Sequence, residues 1–336
     1  MVRRFEDQSY SAPVVPFPAG RAPRTMIAAR VHRPGPPSVI AMERIEVPRP
    51  ARDEVLVRVY ATGVGPWDAS IRSGKTGLHQ PLPVTLGSDI SGVVESVGEN
   101  VSAFQPGDAV FGVTNQRLIG GCAEYAVAST AMIARKPNTL SHIEASSAPV
   151  VAVTAWQMLF DCVAVRSGQT VFVHGGASNV GGYVVQLARL SGVRAIASAL
   201  EGDTEYVRLL GASEVVDAKQ SRSRSLARCA DAVIDTVGGR SQERLFPLVR
   251  PGGIVVSCVS RPDARLARWH GLRSCLFTVN VTSAVLARVA GLFEARELIT
   301  SVGTILPLAK ARMAHEILEG RDASPYGKIV LDAVAA

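Results

Sequence analysis

The chain has 336 residues, a formal net charge of +7, 47% hydrophobic residues and 19% charged residues. This length is sufficient for two domains with substantial cores, and the composition is typical of a compact α/β protein. No run of about 18 apolar residues is present, so we expect no membrane span. The basic residues are dispersed, which argues against nucleic-acid binding, since a nucleic-acid surface needs clustered basic side chains interleaved with aromatics.

Residues 1–25 are rich in proline and lack the apolar segment of a signal peptide, so we interpret them as a flexible tail. The five cysteines are odd in number and show no Cys-x-x-Cys spacing, which argues against a disulfide framework or a structural zinc site. We therefore predict reduced thiols and a cytoplasmic protein.

The next region, to residue 149, consists mainly of short alternating or apolar runs separated by proline and glycine turns. The predicted strands are Met26–Val31, Glu54–Ala61, Ile90–Val97 and Ala109–Val113.

From residue 150 to 282, strand patterns alternate with helix patterns, which indicates a parallel, doubly wound sheet. The predicted strands are Val171–His174, Ala195–Ser198, Glu214–Val216, Ala232–Asp235, Gly253–Ser257 and Leu276–Val281, with helices such as Thr204–Leu210 and Ser241–Leu248 between them. The tail contains two predicted helices, from about Ala284 to Leu298 and Ala309–Leu318, and a strand, Lys328–Leu331.

A glycine-rich loop follows the first of these parallel strands and opens an amphipathic helix. Its sequence, HGGASNVGG at residues 174–182, departs from G-x-G-x-x-G because Ala177 holds the middle glycine position. Glycines let the backbone approach a pyrophosphate, and a helix amino terminus offers free N–H groups. We predict cofactor contacts at Gly176, Ser178, Asn179 and Val180; an ordinary strand-to-helix turn is the alternative.

The residues at the end of the second parallel strand indicate whether NADPH or NADH is preferred. An acidic residue there would bind the ribose hydroxyls and repel a 2′-phosphate, so the small residues Ser198 and Ala199 favour NADPH, with NADH as the alternative. Glu201 and Asp203 follow closely and weaken this preference, and Arg208 is a further basic candidate.

Three more cofactor candidates follow later parallel strands. Gly238, Ser257 and Val259 lie where strands end, and ligands bind at the carboxyl edge of open α/β sheets. A tight turn alone would also explain Gly238.

Several motifs occur in a specific order along the chain. They are ATGVGPWD at 61–68, LGSDISGVV at 86–94, GCAEY at 121–125, TAW at 154–156, the glycine loop, and GKIVL at 327–331. Together they resemble the medium-chain dehydrogenase/reductase superfamily, in its zinc-free quinone oxidoreductase branch. The resemblance implies an α/β protein with a mostly β, GroES-like catalytic domain (26–149 and 284–336), an inserted Rossmann domain (150–283), and an active site in the cleft between them.

The resemblance also bears on metal binding. In zinc alcohol dehydrogenases the metal ligands occupy three motif positions, which here hold Gly65, Ser88 and Val150, and none of these can ligate zinc. The segment from Val110 to Gly121 lacks the cysteines of the family's structural zinc lobe. We therefore predict no metal; a zinc enzyme with displaced ligands is the alternative. Without a Lewis acid, quinones and enones are favoured over simple alcohols.

By the same resemblance, Thr154 and Lys328 match positions that contact the cofactor; Asp68 is the best polar candidate in the substrate cleft, and we predict Asp68 and Thr154 as the catalytic residues. A buried hydroxyl, a surface lysine and a turn-capping carboxylate are the respective alternatives. Relatives often carry Asn at the position of Gly65 and Tyr near that of Thr76.

These two losses leave the proton donor open. His79, Tyr60 and a bound water are candidates besides the carboxylate. Trp67 and Phe111 could line an aromatic-accepting pocket or simply pack in the core.

The predicted strand Leu276–Val281 would lie at a sheet edge, and in the family that edge pairs across a two-fold axis, so we expect a homodimer. The sequence thus predicts a zinc-independent, NADPH-dependent oxidoreductase that reduces a quinone or an α,β-unsaturated carbonyl. A tailoring reductase of secondary metabolism and a non-catalytic NADPH sensor or scaffold are alternatives.

Overall fold

The computed structural model describes residues 23–76, 80–219, 227–320 and 327–335. Nearly all of the predicted tail, and the candidate His79, lie outside these ranges. In the described chain, the strands form sheets of three, six and seven strands. No helix among the described residues is long and apolar enough to cross a membrane.

The first half of the chain and its last strands build two of the sheets. The strands are β1 (Thr25–Val31), β2 (Ile40–Glu46), β3 (Glu54–Val64), β4 (Val84–Thr85), β5 (Asp89–Val97), β6 (Ala109–Val113), β7 (Tyr125–Ser129) and β8 (Ile133–Arg135). The order β2-β1-β4 forms the three-stranded sheet.

The middle of the chain builds the six-stranded sheet. Its strands are β9 (Thr170–His174), β10 (Arg194–Ala199), β11 (Glu214–Asp217), β12 (Ala230–Asp235), β13 (Val249–Ser257) and β14 (Arg273–Leu276). All pairings in the order β11-β10-β9-β12-β13-β14 are parallel. The central strand β9 is buried at every position, as expected where helices cover both faces of a parallel sheet.

Two strands near the carboxyl terminus return to the seven-stranded sheet. β15 (Val302–Pro307) pairs with β16 (Lys328–Asp332), and the order is β15-β16-β3-β5-β6-β8, with β7 also paired to β3. The pairing of β16 with β3 joins the end of the chain to its first half, which places Lys328 close to β3 and β5.

The helices are α1 (Pro66–Arg72), α2 (His142–Ser146), α3 (Pro149–Trp156), α4 (Asn179–Leu190), α5 (Thr204–Leu209), α6 (Ala264–Trp269), α7 (Ser283–Glu294) and α8 (Ala311–Glu319). A π-helical turn, Gln157–Cys162, continues α3. Helix α3 is buried at nearly every position and packs against both α4 and α7. It thus connects the two sheet systems through one apolar core.

The predicted edge strand Leu276–Val281 is wrong in position. The edge strand is β14, which ends at Leu276, because its partner β13 ends at Ser257 and the register stops there. Beyond it, the side chain of Gln157 bonds both backbone groups of Asn280, at 2.8 and 3.0 Å. A side chain therefore holds the segment that we expected to be a strand.

Other differences concern helix ends and short strands. The predicted helix over 241–248 is a 3-10 helix, Gly239–Leu248, with Pro247 inside it, and the helix expected to reach Leu298 ends at Glu294. Strands β2, β4, β7, β8 and β15 were not predicted from the sequence. The predicted domain boundaries remain predictions.

Candidate functional site

The glycine loop joins β9 to α4 at the carboxyl edge of the six-stranded sheet. Gly175 has φ +86°, a conformation that favours glycine. Ser178 caps α4, since its Oγ accepts a hydrogen bond from the Gly181 N–H at 2.9 Å. The first N–H groups of a helix have no partner within it, so those of Asn179 and Val180 are available to an anion.

The loop also needs glycine for close packing. A Cβ on Gly181 would lie 2.1 Å from the carbonyl oxygen of Gly175. A Cβ on Gly176 would lie 2.8 Å from Ala197 Cβ, and the Gly176 N–H donates to the Ser198 carbonyl at 2.8 Å. The glycines therefore hold the turn tightly against β10 and leave the helix amino terminus uncovered.

The Ser198 side chain holds this loop in place through hydrogen bonds. Its hydroxyl is fully buried, lies 2.9 Å from His174 Nδ1, and accepts the Gly175 N–H at 3.1 Å. His174 Nε2 lies 3.1 Å from Ser241 Oγ, and burial lowers the pKa of His174, so the ring is a neutral member of the network. The Ser198 side chain thus does not face the edge where we expected it to contact a cofactor; Ala199, the last residue of β10, is also buried.

The turn after β12 is organised by a buried carboxylate. Asp235 Oδ1 accepts the N–H groups of Val237 and Gly238 at 3.0 and 2.9 Å, and Oδ2 accepts Gln242 Nε2 at 2.9 Å. Gly238 has φ +70°, so the conformation of this turn by itself favours glycine at the position.

The turn after β13 uses a serine in the same way. The buried Ser257 Oγ accepts the N–H of Val259 at 3.2 Å. Ser257 therefore shapes the backbone of this edge, and Val259 is the member of the pair that faces outwards.

Three exposed apolar side chains line this carboxyl edge. Leu200, Val237 and Val259 follow β10, β12 and β13 and are 54%, 48% and 53% exposed. Neighbouring strands carry them, with β9 and its glycine loop between β10 and β12. The sequence analysis missed Leu200 and Val237, although their positions directly after strands were a usable signal.

A second cluster lies in the seven-stranded sheet, where β16 meets β3 and β5. Lys328 Nζ donates to Asp89 Oδ2 at 2.9 Å, and the side chains are 2% and 0% exposed. The same ammonium lies 4.0 Å from the centroid of the Trp67 ring. Asp89 Oδ1 accepts the Val150 N–H at 3.1 Å, at the start of α3. Lys328 is thus a buried ion-pair partner and not a surface lysine.

Asp68 lies in α1 beside this cluster and is 1% exposed. Its Oδ2 accepts the Gly65 N–H at 2.7 Å, which is the capping role considered as the alternative. Its Oδ1 has no hydrogen-bond partner among the described residues. Burial raises the pKa of Asp68 from the ordinary 3.8 to about 7, against the opposing effect of the Gly65 N–H and the Lys328 ammonium.

The indole of Trp67 occupies the space between two positions where zinc enzymes carry ligands. A Cβ on Gly65 would lie 2.4 Å from the Trp67 ring, and Trp67 Nε1 donates to Ser88 Oγ at 3.0 Å. In the described parts of the chain, no group of three or more His, Cys, Asp or Glu side chains could hold a metal ion. Phe111 is fully buried in the core, so core packing accounts for it.

Helix α3 links the buried cluster to the glycine loop. The Thr154 hydroxyl donates to the Val150 carbonyl at 2.7 Å, so its proton is engaged and its lone pairs remain available to an amide donor. One face of α3 reaches the loop, because Val151 lines a small pocket together with Ser178 and Asn179. Tyr60, another candidate for the catalytic proton donor, stacks on His142 with ring centroids 4.5 Å apart.

Comparison with known proteins agrees with this architecture. The family described as "Alcohol dehydrogenase GroES-like domain" matches residues 51–138, and "Zinc-binding dehydrogenase" matches residues 210–331. The quinone oxidoreductase of Mus musculus is 31% identical over 330 residues, which cover 92% of this chain and 98% of that protein. A 2-methylene-furan-3-one reductase of Solanum lycopersicum is 32% identical over 232 residues, covering 66% of this chain and 59% of that protein.

A solved structure is similar over almost the whole chain. The quinone oxidoreductase from Coxiella burnetii has a TM-score of 0.84 and 28% identity, and the match covers 92% of this chain and 99% of that one. The GroES-like sheet system, the parallel Rossmann sheet with its glycine loop, and relatives that match 92% of the chain therefore agree. The chain belongs to the medium-chain dehydrogenase/reductase superfamily, in its quinone oxidoreductase-like branch, and is an NAD(P)H-dependent oxidoreductase.

Proposed function

We propose that the protein reduces a quinone or an α,β-unsaturated carbonyl without zinc. The observation that carries this proposal is the position of the Trp67 indole, which lies against Gly65 and is hydrogen-bonded to Ser88. A catalytic zinc needs three Cys, His or carboxylate ligands at these family positions, and the indole leaves no space for one there. Conjugated carbonyls accept hydride without a Lewis acid, since their own π-system carries the developing charge.

The residues at the glycine loop fit a nicotinamide dinucleotide. The uncapped N–H groups of Asn179 and Val180 suit a pyrophosphate, and the exposed Leu200 and Val237 suit the faces of the adenosine portion. In this proposal Thr154, whose hydroxyl already donates to the Val150 carbonyl, accepts a hydrogen bond from the carboxamide. When bound, the reduced nicotinamide supplies the hydride; the chain supplies binding, orientation and exclusion of water.

For the other cofactor residues predicted from the sequence, we propose indirect roles in shaping the binding edge. Gly176, Gly238 and Val259 shape the binding edge through their backbone and packing. The buried Ser198 and Ser257 hydroxyls act behind that edge, through the hydrogen bonds that hold its turns.

Asp68 is the proton source in this proposal. At neutral pH its carboxyl carries a proton for a large fraction of the time, because burial raises its pKa to about 7. Oδ1, which is buried and has no partner among the described residues, is the atom that would pass the proton toward the substrate carbon beside the carbonyl once substrate is bound. The Lys328 ammonium neutralises the buried Asp89 carboxylate, and its contact with the Trp67 ring helps to position the indole.

The preference between NADPH and NADH depends on the residues after β10. The small Ala199 leaves space for a 2′-phosphate and supports the predicted NADPH, whereas the exposed Glu201 would repel it. We propose NADPH as the cofactor, with a modest advantage over NADH.

The test is oxidation of NADPH and NADH by chelator-treated protein with quinones, 2-alkenals and cyclic enones. We expect turnover to survive chelation and metal analysis to find no stoichiometric zinc. Turnover that disappears on chelation and returns with zinc would contradict the proposal. Cofactor fluorescence without transfer to any acceptor would instead favour the sensor function.

We also propose a cytoplasmic homodimer that uses the six-stranded sheet. β14 is one of its two edge strands, and Phe277 and Val279, which follow it, are only partly buried. Light scattering is expected to give twice the chain mass of 35.5 kDa. A monomer at micromolar concentration would contradict this assembly.

A further inference from the structure

Two cysteines outside the proposed active site are in direct contact. Cys162 ends the π-helical turn that continues α3, and Cys275 lies on the edge strand β14. They are 113 positions apart in sequence, yet their sulfur atoms are 3.2 Å apart, and both are free thiols. We propose that this pair is an oxidation site that closes reversibly to a disulfide when the protein meets a hydroperoxide.

Neighbouring hydrogen bonds hold the two segments that carry the cysteines against each other. Gln157, at the start of the same π-helical turn, bonds both backbone groups of Asn280, which follows β14. The turn and the strand segment are therefore held together by two independent contacts, one through Gln157 and one through the thiols. Closing the disulfide requires the sulfur atoms to approach further, to about 2 Å.

A cavity of about 290 Å³ lies next to residues that flank the pair, although neither cysteine lines it. Val163, the residue after Cys162, and Arg273, two residues before Cys275, both line this cavity. Both thiols are only partly buried. A small peroxide can therefore reach the sulfur atoms without unfolding of the sheet.

The two thiols have different roles in the reaction. Burial and the hydrogen bond with Cys275 raise the pKa of Cys162 to about 12, so Cys162 keeps its proton. Cys275 is thus the sulfur that attacks the peroxide, which forms a sulfenic acid and releases an alcohol or water. The Cys162 sulfur then attacks the sulfenic sulfur, and the S–S bond forms with loss of one water. The peroxide is the oxidant, and the two thiols together lose two electrons and two protons.

The experiment treats the purified full chain with tert-butyl hydroperoxide and counts thiols after denaturation. We expect two of the five thiols to disappear, a mass loss of about 2 Da, and a non-reduced digest that links the peptides of Cys162 and Cys275. Dithiothreitol should restore all five thiols. The oxidised protein should melt about 5–10 °C higher, since the bond closes a long loop.

Cys162→Ser and Cys275→Ser should each abolish the linked peptide and the rise in Tm. Cys229→Ser, which removes another partly buried thiol, directly before β12, should behave as the unsubstituted chain does. Loss of thiols elsewhere before this pair reacts, or an unchanged thiol count at millimolar peroxide, would overturn the proposal.

Discussion

The glycine-loop edge and the buried cluster around Lys328 are built by different means. The loop consists of residues close in sequence, and its shape follows from glycine conformations, a serine cap and the adjacent strands. The cluster brings together Asp68, Asp89 and Lys328, and the last two are 239 positions apart. A local site tolerates change in its surroundings, whereas a site assembled from distant strands depends on the whole fold.

The sharpest test of this difference is Lys328→Met. It leaves the Asp89 carboxylate buried without its ammonium partner, so we expect a loss of about 3–5 kcal/mol in the free energy of unfolding. Denaturant unfolding followed by circular dichroism measures this change. The double variant Asp89→Asn with Lys328→Met should recover most of the loss, because no buried charge remains. A loss below about 1 kcal/mol for the single variant would show that the pair is not buried as described.

Asp68→Asn tests the same cluster through its pH dependence. The folded-state pKa of Asp68 is about 7, above the ordinary 3.8, so the folded protein binds this proton more tightly than the unfolded chain. Its contribution to stability is therefore present below pH 4 and is lost as the pH rises through 7. In the unsubstituted protein, this titration should lower the free energy of unfolding by about 2–4 kcal/mol between pH 4 and 7, and we expect Asp68→Asn to remove that decrease.

The measurement is unfolding free energy from pH 4 to 8, with Asp161→Asn, an exposed carboxylate, as the control. The same variant should remove any limb near pH 7 in the kcat profile. Parallel curves for Asp68→Asn and the unsubstituted protein would exclude a raised pKa and, with it, Asp68 as the proton source.

Gly181→Ala tests the local site. The new Cβ would lie 2.1 Å from the Gly175 carbonyl, so the loop must open at the proposed pyrophosphate position. We expect the Kd for the cofactor to rise about 10–100-fold, measured by nicotinamide fluorescence. Gly182→Ala is the matched control, since its Cβ would meet only the flexible end of Leu210 at 3.1 Å. Equal effects of the two substitutions would indicate a general helix effect instead.

Glu201→Gln should have the smallest effect. Removing this exposed charge after β10 is expected to raise the ratio of kcat/KM for NADPH over NADH by about 3–10-fold, and less at high salt. Glu205→Gln, four residues further on and also exposed, should leave the ratio unchanged. An unchanged ratio in Glu201→Gln would remove this residue from cofactor discrimination.

The sequence by itself determined the fold class, the family and the position of the glycine loop. These features depend on residues near one another in sequence: an apolar strand, glycines at 175, 176, 181 and 182, and an amphipathic helix. Local patterns of this kind reflect backbone geometry, so they can be recognised before any tertiary contact is known. For the same reason β6 was predicted at its observed bounds.

Only the tertiary structure decided how individual side chains are used. The Ser198 hydroxyl turns inward to His174, Lys328 pairs with Asp89, and Trp67 fills the space above Gly65. Edge strand β14 ends where its partner ends, and the contact between the two thiols joins this strand to the π-helical turn after α3. Such contacts join residues tens to hundreds of positions apart, and a single sequence carries no local pattern that reports them.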